Sequence, residues 1–171
     1  MAEIFKRRGY RTGHFGKWHL GDSYPNLPHQ RGFEETVYHL GWGITSMADT
    51  WLNDCFDGRF FHNGKLHEYP GYCTDVFFDL NDEVHAGTQS EKSGRSSSIC
   101  RPTLRTARTG CDPKYRQPYR GQGPAEFFGM IANLDENLGR LDKFLEEKKL
   151  VDEYDHHLLQ RQRSHGGRQF V

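Results

Sequence analysis

Aromatic residues are distributed very unevenly along this chain of 171 residues. They make up 13% of the sequence, yet none occurs in residues 80–110, which are rich in Ser, Thr, Arg and Gly. A segment of that composition buries too little apolar surface to offset the entropy lost on ordering. The pattern predicts a folded core segment over residues 1–79, followed by a polar interruption over residues 80–110.

Length, charge and cysteine content exclude several classes of protein. The length suits one domain, and 23 basic residues balance 23 acidic ones, so the basic surface of a nucleic-acid binder is missing and we expect no nucleic-acid partner. No apolar run approaches the ~20 residues of a membrane span, and the first ten residues lack the apolar part of a signal peptide. Cys55, Cys73, Cys100 and Cys111 contain no C-x-x-C pair, so they indicate neither zinc nor a disulfide framework.

The N-terminal residues predict an α/β arrangement. Residues 2–8 have the pattern of a short helix that Gly9 ends, and residues 10–18 have that of a strand. A helix, a glycine stop and a strand with polar residues at its end indicate an α/β layer with chemistry at the carboxyl edge of the sheet. Asn63-Gly64 predicts a tight turn further along.

A second core segment, residues 111–152, is predicted to contain a long amphipathic helix that Pro124 opens. Alternating steps of four and three residues place one apolar stripe toward a core: Phe127, Ile131, Leu134, Leu138, Leu141 and Leu145. The pairs Asp135-Glu136 and Glu146-Glu147 are interpreted as the solvated face. Residues 153–171 match neither a helix nor a strand pattern, and we interpret the His156-His157 pair as no metal site.

Lys17 and His19 are the candidate site residues. Residues two apart on an extended segment point to the same face, so the ammonium and the imidazole can converge on one small anion. Lysine supplies a point charge for a sulfate or phosphate oxygen, and histidine supplies a hydrogen bond or moves a proton. Gly16 and Gly21 permit close backbone approach. The alternative is that Lys17 is a surface lysine and His19 a packing residue beside Trp18.

The string GYRTGHFGKWHLGD, followed in order by LPHQRGFEE, HNGK, GYCTDVFFD and PAEFFGMIANLDENLGRLDKFLEE, resembles the sulfatase family of the alkaline phosphatase superfamily. The resemblance covers residues 2–79 and 113–152. It implies an α/β fold, as part of an α/β/α sandwich that hydrolyses sulfate esters of small molecules or glycans with a bound calcium ion and a formylglycine made from Cys or Ser. By motif position, Lys17 would bind the sulfate group, and His19 would hydrogen-bond the formylglycine hydrate or the sulfate. Asp75 is interpreted as a structural anchor.

The sequence departs from the family pattern before Lys17. The family's nucleophile motif, C-x-P-S-R or a Ser variant, precedes the lysine, but residues 1–16 contain neither Cys nor Ser. Two acidic calcium ligands are missing for the same reason, so we expect a fragment, incomplete at both ends, that is inactive alone. The string from Cys100 to Arg105 imitates the motif, but it has an extra residue and follows Lys17. We interpret it as accidental.

The polar segment and the tail invite an out-of-frame hypothesis. Residues 96–101, 103–110 and 155–163 can be back-translated so that a neighbouring frame reads FFIYLP, PYAPHGP and TIIFFSDNG. These strings resemble a buried strand, the A-P-H-x-P motif and the Asp-Asn-Gly strand of the sulfatases. We interpret residues 80–110 as out-of-frame or disordered and residues 153–171 as an out-of-frame tail. The nucleotide sequence tests this, because the adjacent frame must restore all three strings.

Three functions are compatible with these residues. The first is sulfate ester hydrolysis by an arylsulfatase-like enzyme of which this chain is a part. The second is phosphodiester or phosphonate ester hydrolysis within the same superfamily, since a Lys/His pair does not choose between sulfur and phosphorus. The third is a non-catalytic product, either a decayed fragment or a binding module. Family members are often periplasmic, extracellular or lysosomal, and the sequence leaves the localisation open.

Overall fold

A computed structural model of the chain describes residues 1–47, 49–88, 95–102 and 111–148. The elements are helix α1 (Ala2–Arg7), strands β1 (Arg11–Lys17), β2 (Glu35–His39), β3 (Arg59–His62) and β4 (Lys65–Glu68), helix α2 (Cys73–Thr88), strand β5 (Ser96–Arg101) and helices α3 (Pro113–Arg116) and α4 (Ala125–Glu147). Short 3-10 turns cover Pro28–Gln30 and Gln117–Tyr119. The predicted tail, residues 153–171 with its histidines, lies outside the described residues.

The strands form one mixed sheet in the order β4-β3-β2-β1-β5. Strand β1 is parallel to both of its neighbours, β2 and β5, whereas β3 and β4 form an antiparallel hairpin that continues from β2. The predicted Asn63-Gly64 turn joins the hairpin, and both residues adopt positive φ angles of 50° and 85°, as a two-residue hairpin loop requires. The parallel strands β5, β1 and β2 therefore present their carboxyl ends along one edge.

Helices cover both faces of the sheet, which confirms the predicted α/β class. Helix α1 packs on β1, where Ala2 joins Trp18, Phe33 and Tyr38 in a small apolar cluster. Helix α2 covers the opposite face, and α4 packs on α2 as an outer layer. The larger cluster on the α2 face contains Phe15, Val37, Ile44, Cys55, Phe60, Tyr72, Cys73, Val76, Phe77 and Val84. This cluster fixes the strands that carry the candidate site.

The structure differs from the prediction over the polar segment 80–110. Residues up to Thr88 continue helix α2, and Ser96–Arg101 forms a six-residue parallel strand beside β1. The physical reason is tertiary: the backbone of β1 supplies a pairing edge, and His85 of α2 makes hydrogen bonds of 2.7 and 2.8 Å with the hydroxyl groups of Ser96 and Ser98. Residues 89–94 and 103–110 lie outside the described part.

Helix α4 has the predicted extent, but its buried face is different. Of the predicted apolar stripe only Leu145 is buried, and Ile131 is 40% exposed. Asn133 and Asn137 are fully buried instead, because their side-chain amides donate hydrogen bonds of 2.7 and 2.6 Å to one carboxylate oxygen of Asp75. Asp75 is thus the structural anchor between α2 and α4 that the sequence predicts, and the acidic pairs of α4 are exposed as expected.

Candidate anion site at the carboxyl edge of the sheet

Lys17 is the last residue of β1 and lies at the edge where the parallel strands end. In the sheet register it is opposite His39, the last residue of β2, and the preceding Gly16 is opposite Arg101, the last residue of β5. In α/β sheets, ligands bind outside the carboxyl ends of the strands. The three strand ends therefore bring two permanent cations and a histidine to the edge where the sequence predicts chemistry.

Lys17 and His19 both adjoin Trp42, in the loop that follows β2. The ammonium group of Lys17 donates a hydrogen bond of 2.6 Å to the carbonyl oxygen of Trp42. The imidazole of His19, one residue beyond the strand and exposed, has its ring centroid 6.2 Å from that of the Trp42 indole. The structure thus brings the two predicted site residues to one loop, although His19 does not lie on β1 itself.

The packing role that the sequence leaves open for His19 belongs to His14. The ring of His14 lies 5.0 Å from that of Trp18 in an edge-on arrangement and 5.3 Å from that of Phe33. His14 is only 1% exposed, whereas His19 is at the surface. An exposed histidine at the strand end is accessible to a ligand from solvent.

Gly16 and Gly21 allow the close backbone approach that the sequence predicts. Gly16 has a φ of 105°, and a Cβ atom there would lie 2.2 Å from the carbonyl oxygen of Arg101. Gly21 has a φ of 122°, and its Cβ would lie 2.4 Å from that of Asn26. Both positions exclude other L-residues, since the conformation and the space each require glycine.

Two buried histidines behind the edge titrate abnormally. Burial lowers the pKa of His14 to about 3, and the charges of Arg101 and His39 act in the same direction, against an opposing contribution from the Lys17 backbone. Neither ring nitrogen of His14 forms a hydrogen bond with the described residues. Burial also lowers the pKa of His39 to about 4, helped by the positive charges of Lys17 and Arg101. Both imidazoles are therefore neutral at pH 7.

His14, His39 and Arg101 are site residues that sequence reasoning missed. Their position depends on the register of two parallel strand pairs, and a parallel register is set by contacts between distant segments. The available signal was that β2 ends at a histidine after the apolar run Thr36-Val37-Tyr38. In the sequence, Arg101 stands out only as part of the nucleophile-like string from Cys100 to Arg105.

Cys100 of that string has the environment of an inert thiol. It pairs with Phe15 in the sheet register and packs against the apolar cluster under α2. Burial raises the pKa of the Cys100 thiol to about 12, so the thiol is protonated at neutral pH and is a poor nucleophile. This supports the interpretation of the string as accidental. All four cysteines are free thiols.

The groups at this edge do not fit calcium or formylglycine. Calcium takes oxygen ligands, whereas Lys17 and Arg101 are cations. Within residues 1–47, 49–88, 95–102 and 111–148, no group of three or more His, Cys, Asp or Glu side chains is arranged to hold a metal ion. Cys100, on β5, is half-buried and packs against the apolar cluster under α2. The arrangement can bind an anion.

None of the helices in the described ranges is long and apolar enough to span a bilayer.

Comparisons with known proteins give both a sequence match and a fold match. No family model matches the chain. Arylsulfatase G of Canis lupus familiaris is 46% identical over 41 residues, which are 24% of this chain and 7% of the relative. The chain thus spans a small part of the curated relative that it matches.

Solved structures share the fold over most of the chain. Ps i-CgsB, also solved in complex with k-i-k-neocarrahexaose, has a TM-score of 0.74 at 19% identity, covering 88% of this chain and 37% of the other. The PsFucS1 sulfatase from Pseudoalteromonas sp. has a TM-score of 0.62 at 17% identity, covering 86% and 34%. These likenesses show a sulfatase-type, alkaline-phosphatase-like α/β fold. The chain is thus similar to an arylsulfatase over a short stretch of sequence and to these solved structures in its fold.

Proposed function

We propose that the carboxyl edge of the sheet binds the sulfate group of a sulfate ester, as part of a sulfuric ester hydrolase. The observation that carries this proposal is the convergence of Lys17 and His19 on the loop of Trp42. The hydrogen bond to the Trp42 carbonyl holds the ammonium group at the strand end, where it offers a point charge to a sulfate oxygen. The exposed imidazole of His19 hydrogen-bonds the same group.

The electrostatics of the edge supports an anionic ligand. Burial is the main cause of the lowered pKa of His39, and the positive charges of Lys17 and Arg101 lower it further. Both cations therefore act on the same place behind the edge. His39 stays neutral and adds no charge that would need compensation. Preorganised positive groups stabilise an anion more strongly in a partly buried site than in water, since solvent screens them less there.

The substrate class that we propose is a small-molecule or glycan sulfate ester. It is supported by the structural neighbour that was solved in complex with k-i-k-neocarrahexaose. Formylglycine and calcium, which the family resemblance implies, have no candidate among the described residues. We therefore expect this chain alone to bind sulfate esters without hydrolysing them.

Titration of the full chain with p-nitrophenyl sulfate at low ionic strength tests the proposal. We expect saturable binding that weakens with added salt, with no release of p-nitrophenol. Lys17→Met should weaken binding about tenfold, equivalent to about 1.4 kcal/mol, whereas Lys65→Met, which changes an exposed lysine on β4, should leave it unchanged.

Three results would count against parts of the proposal. Equal losses in both lysine variants would exclude a specific site at Lys17. Calcium-dependent turnover by the chain alone would show that it is active. Tighter binding of p-nitrophenyl phosphate than of the sulfate would favour the alternative function, hydrolysis of phosphorus esters within the same superfamily.

A further inference from the structure

The side chain of Trp42 is an apolar surface that adjoins the candidate sulfate site. The residue is 67% exposed. Its carbonyl oxygen accepts the hydrogen bond from Lys17, and its ring stands beside the ring of His19. Any ester whose sulfate group is held by Lys17 and His19 therefore places its alcohol portion close to this indole.

The loop that carries Trp42 is anchored on both sides of the indole. On one side, Leu40 follows β2 and packs against the apolar cluster under α1. On the other, Ile44 is fully buried in the cluster under α2. The backbone N–H of Thr45 also donates a hydrogen bond of 2.7 Å to the Asp49 carboxylate. The exposed ring is thus presented from a fixed backbone, which lowers the entropy cost of binding.

We propose that Trp42 is a specificity-determining residue whose indole stacks on the sugar ring of a saccharide sulfate. This inference rests on the proposed function, since Lys17 and His19 fix the sulfate group and thereby orient the ring. A sulfate group needs only cations and hydrogen-bond donors, so a flat apolar surface beside it contributes to recognition of the attached alcohol. The apolar C–H face of a pyranose matches an exposed indole in size and shape.

The surroundings of the indole favour a saccharide over a second polypeptide. The centres of protein–protein interfaces are depleted in charged residues, whereas Trp42 lies directly beside the ammonium group of Lys17. Trp51 is 84% exposed in the same connection between β2 and β3. It therefore provides a matched control of the same residue type.

Binding measurements with three probes separate this inference from the proposed function. Galactose 6-sulfate contains both groups, ethyl sulfate has no sugar ring, and galactose has no sulfate. The variant Trp42→Ala removes the indole but keeps the carbonyl group that holds Lys17. We expect this variant to bind galactose 6-sulfate about tenfold more weakly. Its affinity for ethyl sulfate should stay within about twofold of that of the unmodified chain. Trp42→Phe should recover part of the loss, and Trp51→Ala should change neither affinity.

The possible failures are distinguishable. If the unmodified chain binds neither sulfate, the proposed function fails and the inference with it. If ethyl sulfate binds but Trp42→Ala lowers the affinity for both sulfates equally, or lowers neither affinity, only the inference about Trp42 is overturned. An equal loss in Trp51→Ala would show nonspecific apolar binding. Sedimentation velocity adds one more contradiction: if Trp42→Ala converts a dimer into a monomer, a second copy of the chain is the occupant of this surface.

Discussion

Strand β1 has a parallel partner on each side, and the two partners are held in different ways. Four of the five residues of β2 are buried, including Val37 and Tyr38, whereas every residue of β5 is half-buried or exposed. The backbone pairing with β1 extends over five residues on one side and six on the other. The same kind of hydrogen-bond ladder is therefore stabilised by apolar burial at β2 and by a polar network at β5.

The largest expected effect tests the apolar packing that holds β2. Phe77 of α2 is fully buried, with its ring 4.8 Å from that of Phe60 and stacked on His39. Phe77→Ala should lower the free energy of unfolding by about 3–5 kcal/mol, because it leaves a cavity under β2. Urea denaturation measures this. Ile99→Ala, at a β5 residue that is 37% exposed, is the control and should cost less than about 1.5 kcal/mol. Equal losses would contradict the comparison.

The second effect concerns the buried histidines. In the folded protein the pKa of His14 is about 3 and that of His39 about 4, so the unfolded chain binds protons first as the pH falls below about 6.5. Each histidine should therefore cost about 2 kcal/mol of stability between pH 7 and pH 5. Asp82 acts oppositely, because burial raises its pKa to about 6. Protonation of this buried carboxyl group on acidification therefore raises the free energy of unfolding.

A variant isolates the histidine contribution from that of Asp82. His14→Phe keeps an aromatic ring beside Trp18 but removes the titrating group. The original chain should lose about 2 kcal/mol more than this variant between pH 7 and pH 5, as measured by urea denaturation at each pH. Parallel pH profiles of the two proteins would refute the assignment.

The smallest expected effect tests the polar network that holds β5. The Ser98 hydroxyl donates a hydrogen bond of 2.6 Å to the Asn81 side chain and contacts His85 at 2.8 Å. Since Asn81 and His85 are both buried, Ser98→Ala leaves polar groups unsatisfied and should cost about 1–2 kcal/mol. Ser97→Ala changes the adjacent residue, which alternation places on the opposite face, and should cost less. A larger loss at Ser97 would mean that this network does not hold β5.

The predictability of each region follows from how local its signals are. Helix α1, strand β1 and the Asn63-Gly64 turn follow from patterns a few residues long, and the structure has all three. Strand β5 could not be predicted, because three consecutive serines have no apolar alternation and their strand depends on the edge of β1. The folding of Ser96–Arg101 does not test the out-of-frame hypothesis, which remains a proposal for nucleotide sequencing.

Tertiary contacts also explain the misassigned face of α4. The heptad-like steps favour its leucines, but Asn133 and Asn137 are buried because Asp75 supplies an acceptor from a segment some sixty residues earlier. The site shows the same division. Lys17 and His19 lie in a short recognisable motif, whereas Arg101, His14 and His39 reach the edge through sheet register.

The most direct test of the central claim, an anion site at the carboxyl edge, is a titration of the isotopically labelled full chain with inorganic sulfate, followed by NMR. We predict saturable shifts in the backbone amide signals of Gly16, Lys17, His19 and Trp42, and their reversal by added chloride. Shifts that do not saturate, or that are largest at the hairpin of β3 and β4, would contradict it.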